Sequence, residues 1–103
     1  MAPLTKLLLI VVFVTSTIVE AQTDQDRQIM QDTLGYAMQN NFEAALKEAE
    51  KIKEPDTQDM LLVNILNFAV TDDNCSVMKE VVDRLNDPAM KGIFSMNIKN
   101  LCP

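Results

Sequence analysis

Apolar residues in this 103-residue chain recur mostly at spacings of three and four; the first twenty residues instead hold one uninterrupted apolar run. Three-and-four spacing places side chains on one face of an α-helix. The first segment with this pattern runs from Asp24 to Gln39 and puts Ile29, Met30, Thr33, Leu34, Ala37 and Met38 on one stripe. Thr23 and Asp26 have the spacing of a capping box at its start. The second, Phe42 to Lys53, follows Asn40 or Asn41 as cap. It predicts Phe42, Ala45, Leu46, Ala49 and Ile52 inside, with Glu43, Lys47, Glu50 and Lys51 on a solvated face. Glu43 and Lys47 stand in the favourable order for an ion pair one turn apart. The third, Pro55 to Thr71, begins at a proline whose missing N–H costs nothing at a first helical position. It is apolar around most of its girth, which predicts a central place or a face turned to a partner.

The fourth segment, Cys75 to Asn86, follows the breaker Asp72-Asp73-Asn74 and turns Cys75, Met78, Val81, Val82 and Leu85 inward. Asp87 before Pro88 is a start signal for the fifth, whose apolar set is Met90, Ile93, Phe94, Met96, Ile98, Leu101 and Cys102. Connections this short force successive helices antiparallel. Phe42–Val70 lies over Cys75–Pro103 without a gap, at an offset of 33 residues. Glu54-Pro55 then falls on Asp87-Pro88, Ile52 on Leu85, and Asn64-Ile65 on Asn97-Ile98. Pro55/Pro88, Asn64/Asn97, Ile65/Ile98 and Asn67/Asn100 are identical in the two copies; the turn prolines and the shared apolar register carry the repeat. The expected fold is all-α: about five antiparallel helices stacked as helical hairpins, a small bundle or short solenoid.

Residues 1–21 have the three-part layout of a secretory signal: Lys6, the apolar run Leu7 to Val14, and short side chains at Val19 and Ala21. The run is too short for a spanning helix, which needs about 20 apolar residues. Cleavage after Ala21 leaves one helical domain over 22–103, with Gln22 first. Lys6 and Glu20 leave together, so the net charge stays at −6. An acidic chain without a basic cluster is a poor match for nucleic acid or anionic lipid. Export makes a disulfide the default for Cys75 and Cys102. In an antiparallel hairpin the start of one helix lies beside the end of the next, within reach of such a bond. An intermolecular bridge is the competing arrangement.

Tyr36, Asn40, Phe42 and Ala45, followed by Pro55, resemble the middle of a tetratricopeptide-type unit, as does the repeat spacing. No tryptophan or leucine-glycine pair precedes Tyr36, and Pro55 comes about two residues early against the family pattern. The resemblance covers about 30 residues. It implies recognition of a protein or peptide on a concave helical surface.

The inventory is poor in chemistry. There is no histidine, and the serines after residue 21 are Ser76 and Ser95, so a nucleophile lacks a base. Two thiols without histidine leave a zinc shell half filled. The pairs Asp24/Asp26, Asp56/Asp59 and Asp72/Asp73 lie near helix starts, where the helix dipole accounts for them. Asn74-Cys75-Ser76 matches the acceptor pattern for N-glycosylation, with Asn74 as the attachment residue. Met30, Met38, Met60, Met78, Met90 and Met96 read first as core filler and second as an adaptable apolar groove, with Met90 and Met96 outermost.

These features point to a secreted, extracellular, non-enzymatic protein that binds another extracellular protein, a factor of effector, venom or salivary, immune or seminal type. No cofactor or metal is implied, and a monomer is favoured over a homodimer. The candidate binding surface is Met60, Met90, Phe94 and Met96, on the third and fifth helices. The alternative is a carrier of a small hydrophobic ligand, which requires an enclosed cavity of roughly 300 Å³ or more.

Overall fold

The computed structural model describes residues 24–103, so the expected secretory signal over 1–21 and the expected cap Thr23 lie outside the described residues. Five helices follow in order: α1 Asp24–Met38, α2 Phe42–Ala49, α3 Pro55–Thr71, α4 Cys75–Arg84 and α5 Pro88–Leu101. Among the described residues there is no strand, and no helix is long and apolar enough to cross a membrane.

The repeat read from the sequence reappears in the backbone, residue for residue, at the same offset. Asn40 (φ 58°) and Asp73 (φ 56°) both take the left-handed conformation. Each closes the preceding helix in the same way. The N–H groups of Asn41 and Asn74 reach back to the carbonyls of Tyr36 and Ala69 at 2.9 Å. The N–H groups of Asn40 and Asp73 bond to Ala37 and Val70 at 3.0 and 3.1 Å. This is the paired bonding of a Schellman stop, and Asn or Asp tolerates its left-handed residue better than most side chains. The next residue then caps the following helix: Asn41 accepts from Ala44 N and Asn74 from Val77 N. The proline turns match as well. Glu54 accepts from Asp56 N at 2.8 Å, and Asp87 from Ala89 N at 2.9 Å.

Two helices stop earlier than their periodicity predicts. α2 ends at Ala49 rather than Lys53, and α4 at Arg84 rather than Asn86. The cause is the same in both. Ile52 and Leu85 are buried although they lie outside the helices, so each pulls its turn into the core. The chain tightens to do this, with Ile52 N on Ala49 O and Leu85 N on Val82 O, both at 3.2 Å. An apolar anchor at this position looks like one more helical turn in the sequence, but its burial requires the backbone to leave the helix.

α1 packs on α2 and α3, α2 on α3, α3 on α4, and α4 on α5. α3 is therefore central, as its apolar girth predicts. Its Leu61, Leu62, Ile65, Leu66 and Ala69 meet Phe42, Ala45, Leu46 and Ala49 of α2 and Met78, Val81 and Val82 of α4 in one core. α1 contributes Ile29 and Ala37, with Thr33 buried and its hydroxyl bonded to Ile29 O at 2.7 Å. Met38, expected on the inner stripe, is instead 69% exposed. It is the last residue of α1, past the contact with α2, and it points opposite to Ile29 and Thr33 on the helical wheel.

The charged face of α2 is rearranged as well. The Glu43–Lys47 pair is not formed; Lys51 closes on Glu48 at 2.7 Å, while Glu50 reaches across to Arg84 of α4 at 2.5 Å. Arg84 also holds Glu80 at 2.8 Å. That hydrogen bond to Glu80 raises the Arg84 pKa, with Glu50 adding to it and partial burial opposing both.

Cys75 and Cys102 form an intramolecular disulfide with their Cα atoms 5.8 Å apart. It joins the start of α4 to the end of α5, as the hairpin geometry predicts. Closing a loop of this length contributes about 3 to 4 kcal/mol by chain entropy. Replacing both cysteines by serine should lower the unfolding free energy by about that amount in urea denaturation. The loss should appear first as faster amide exchange in α5.

Candidate functional site

α5 is the least buried of the helices. Ile98 is its single fully buried residue, while Met90, Phe94 and Cys102 pack partly on the core. The equivalents of Ile98 and Phe94 in α3 are Ile65 and Leu61, both buried. Ser95 and Lys99 stand where α3 has Leu62 and Leu66, so that side of α5 is suited to water. The remaining apolar residues of α5 face neither the core nor this polar side. Ile93 is 59% and Met96 70% exposed, and Leu101 is exposed too.

Both Ile93 and Met96 have apolar counterparts in α3, and one of these is also left outside. Ile93 corresponds to Met60, which is 40% exposed, and Met96 to Val63, which is half-buried. Met60 and Ile93 thus keep apolar side chains exposed at the same register of two successive repeat units, whereas Val63 packs partly on the core. Single exposed apolar residues are ordinary on a protein surface, but Ile93 and Met96 lie one turn apart on α5 with Met60 at the matching register of α3, and together they mark an apolar strip.

Between α3 and α5 this strip deepens into an open groove of about 630 Å³. α1 and α3, the preceding pair of equivalent helices, pack directly on each other, whereas α3 and α5 make at most a marginal contact. The groove occupies the space that contact leaves. Met60, Val63 and Asn64 of α3 and Met90 of α5 line it, with Glu54, Asp56, Thr57 and Asp59 at the α3 end. Methionine suits such a place because an unbranched, polarisable side chain adapts to what lies on it. Core filling describes Met78, which is fully buried; Met60 and Met96 are exposed, and Met30 and Met90 lie at the core's edge.

Of the four residues expected to form a binding surface, the structure brings Met60 and Met90 together in the groove. Met96 lies farther round α5 in the open, and Phe94 is partly buried against the core. Asn74 is half-buried, and its side-chain oxygen accepts from Val77 N at 3.1 Å as the cap of α4.

Asp59 is the residue that pattern reading misplaced. Its pairing with Asp56 near a helix start suggested a dipole effect, yet it is only 3% exposed. Its carboxylate accepts from Asn86 N at 2.8 Å, Asp87 N at 3.0 Å and Asn86 Nδ2 at 3.0 Å. It thereby fixes the α4–α5 turn to the side of α3 and sets where α5 begins. Its neighbour Gln58 does the same for the other turn, donating to Ala49 O at 3.3 Å and Ile52 O at 3.0 Å. Gln58 also accepts from Asn86 Nδ2 at 2.8 Å, which links the two turns. Helical periodicity would place Asp59 on the same side as Leu62 and Leu66, and that was the available signal.

Comparison with protein-family models, curated proteins and solved structures found no match for this chain. Among the described residues no three His, Cys, Asp or Glu side chains gather as a metal site.

Removing the Asp59 carboxylate leaves two backbone donors of the α4–α5 turn without their partner. Asp59→Ala should cost about 2 kcal/mol, the range for hydrogen bonds to a charged group. Hydrogen exchange should accelerate in α5 and little in α1. Equal acceleration throughout would show that Asp59 does not position α5.

Proposed function

We propose that this is a secreted, non-enzymatic binding protein that recognises another extracellular protein through the apolar strip of α3 and α5. The observation that carries the reading is the exposure of Met60 and Ile93 at one repeat register, with Met96 exposed one turn further along α5, beside a groove of about 630 Å³. A folded domain gains nothing in stability from apolar side chains kept in water at a matched register. They gain free energy when a second surface covers them, and methionine-rich faces do so with adaptable shape. The signal-like segment at residues 1–21 and the bonded Cys75–Cys102 pair support export, since such bonds persist in oxidising compartments. A small-molecule carrier is less well supported: the groove opens along the surface between two helices, and a hydrophobic ligand in it keeps one side in water.

The test uses the full chain released by producing cells, with photoreactive p-benzoylphenylalanine at position 60, at position 93 or at the exposed α2 position 47. Intact mass of the released material should match a chain beginning at Gln22 with Cys75 and Cys102 bonded. Irradiation in that medium should join positions 60 and 93 to one and the same protein, and position 47 to none. Equal capture from position 47, or no capture from 60 and 93, ends the reading.

A further inference from the structure

The groove and its rim say what kind of segment fits there. Its apolar part is Met60, Val63 and Met90, and one end of it is negative: Glu54, Asp56 and Asp59 fall within six residues. No cation of the described residues lies within ion-pair distance of these carboxylates. The paired cations are committed elsewhere, Arg27 to Asp24, Lys51 to Glu48 and Arg84 to Glu50 and Glu80. Asp59 is bonded to neutral N–H groups, and one oxygen of Glu54 caps α3 through Asp56 N and Thr57 N, so neither is held in an ion pair. Glu54 and Asp56 are exposed at the mouth. The whole chain carries a net charge of −6, which adds a weaker attraction of the same sign over a longer range.

Resting on the reading of this face as a protein-binding surface, we propose that the α3–α5 groove takes a cationic amphipathic helical segment of another protein. Its apolar side chains seat on Met60, Val63 and Met90, and its Lys or Arg side chains face Glu54 and Asp56. A helix is the form that fits, because the groove runs between two helices that lack the direct packing α1 and α3 have. An incoming helix supplies the missing apolar face, as in other helix-in-groove complexes. A second copy of the chain is disfavoured, since both partners would bring a net charge of −6. The charged rim contributes orientation and encounter rate, and the apolar floor most of the affinity.

Methionine methyl groups report the site directly. The processed full chain, labelled with ¹³C at the methionine methyls, is titrated with an amphipathic peptide of Leu and Lys of about 18 residues, long enough for five turns. A Leu/Glu peptide of the same pattern is the charge control, and a Lys/Ser peptide lacks the apolar face. The Leu/Lys peptide should shift the Met60 and Met90 signals and leave Met38 and Met78 in place. Its affinity should fall about tenfold from about 50 mM to about 500 mM salt, and similarly in the Glu54→Gln/Asp56→Asn variant. That variant keeps a side-chain acceptor at the α3 cap, and circular dichroism checks its helix content. Equal binding of the Leu/Glu peptide at Met60 and Met90 overturns the charge assignment while the protein-binding reading stands. Shifts of the same signals with protein concentration alone, together with a dimer in sedimentation, assign the groove to a second copy and overturn the proposal. Binding of neither Leu peptide at Met60 and Met90 overturns it too, and the crosslinking result then decides the protein-binding reading separately.

Discussion

Two adjacent side chains near the start of α3 hold both proline turns of the molecule. Gln58 donates to the carbonyls that end α2, and Asp59 accepts from the N–H groups that begin the α4–α5 turn. The groups they satisfy are the ones a helix terminus leaves unpaired. Leaving such groups without partners costs about 1 to 3 kcal/mol each when they are screened from water. With the turns fixed to α3, the helices on either side have little freedom in where they start. The order of packing then follows: α2 and α4 flank α3, and each buries one face on it.

α5 depends on this more than any other helix. Full burial of a side chain such as Ile98 contributes about 1.5 to 3 kcal/mol, and no other residue of α5 is fully buried. The helix is instead pinned at its two ends. Asp59 holds the turn before it, and the Cys75–Cys102 bond holds its last turn to the start of α4. With two end anchors, the middle of the helix packs on the core along one face only, through Phe94 and Ile98. Ile93 and Met96 can therefore stay in water, and α3 and α5 can stand apart, without loss of the fold.

Under the proposed function this arrangement connects stability to recognition. In a solenoid of stacked hairpins, equivalent helices line a common face, and side chains there are released from the core. Here that face keeps apolar residues at one register in α3 and α5, and the carboxylates Glu54 and Asp56 at one edge. A groove with an apolar floor and a one-signed edge selects partners by shape and charge together. The fold holds the groove open through covalent and hydrogen-bonded anchors, so the proposed partner would meet it largely preformed.

The local signals in the sequence were enough for the helices and their order, because caps, prolines and apolar spacing act within a few residues. Asp87-Pro88 started α5, and the Asp72-Asp73-Asn74 breaker separated α3 from α4. The offset of 33 residues carried over into matching left-handed residues at Asn40 and Asp73, and the hairpin register brought Cys75 to Cys102. Of the proposed binding face, Met60, Met90, Phe94 and Met96 were legible as surface candidates, but periodicity cannot say which side of a helix has a neighbour. Only the tertiary structure could show that α3 and α5 stand apart and that Met60 and Met90 share the gap. It alone turned Ile52 and Leu85 from residues of a last helical turn into turn anchors, and Asp59 from a dipole partner into the acceptor for a distant turn. The physical reason is the range of each effect: a helix is written in contacts four residues apart, whereas Asp59 meets Asn86 across 27 residues of chain.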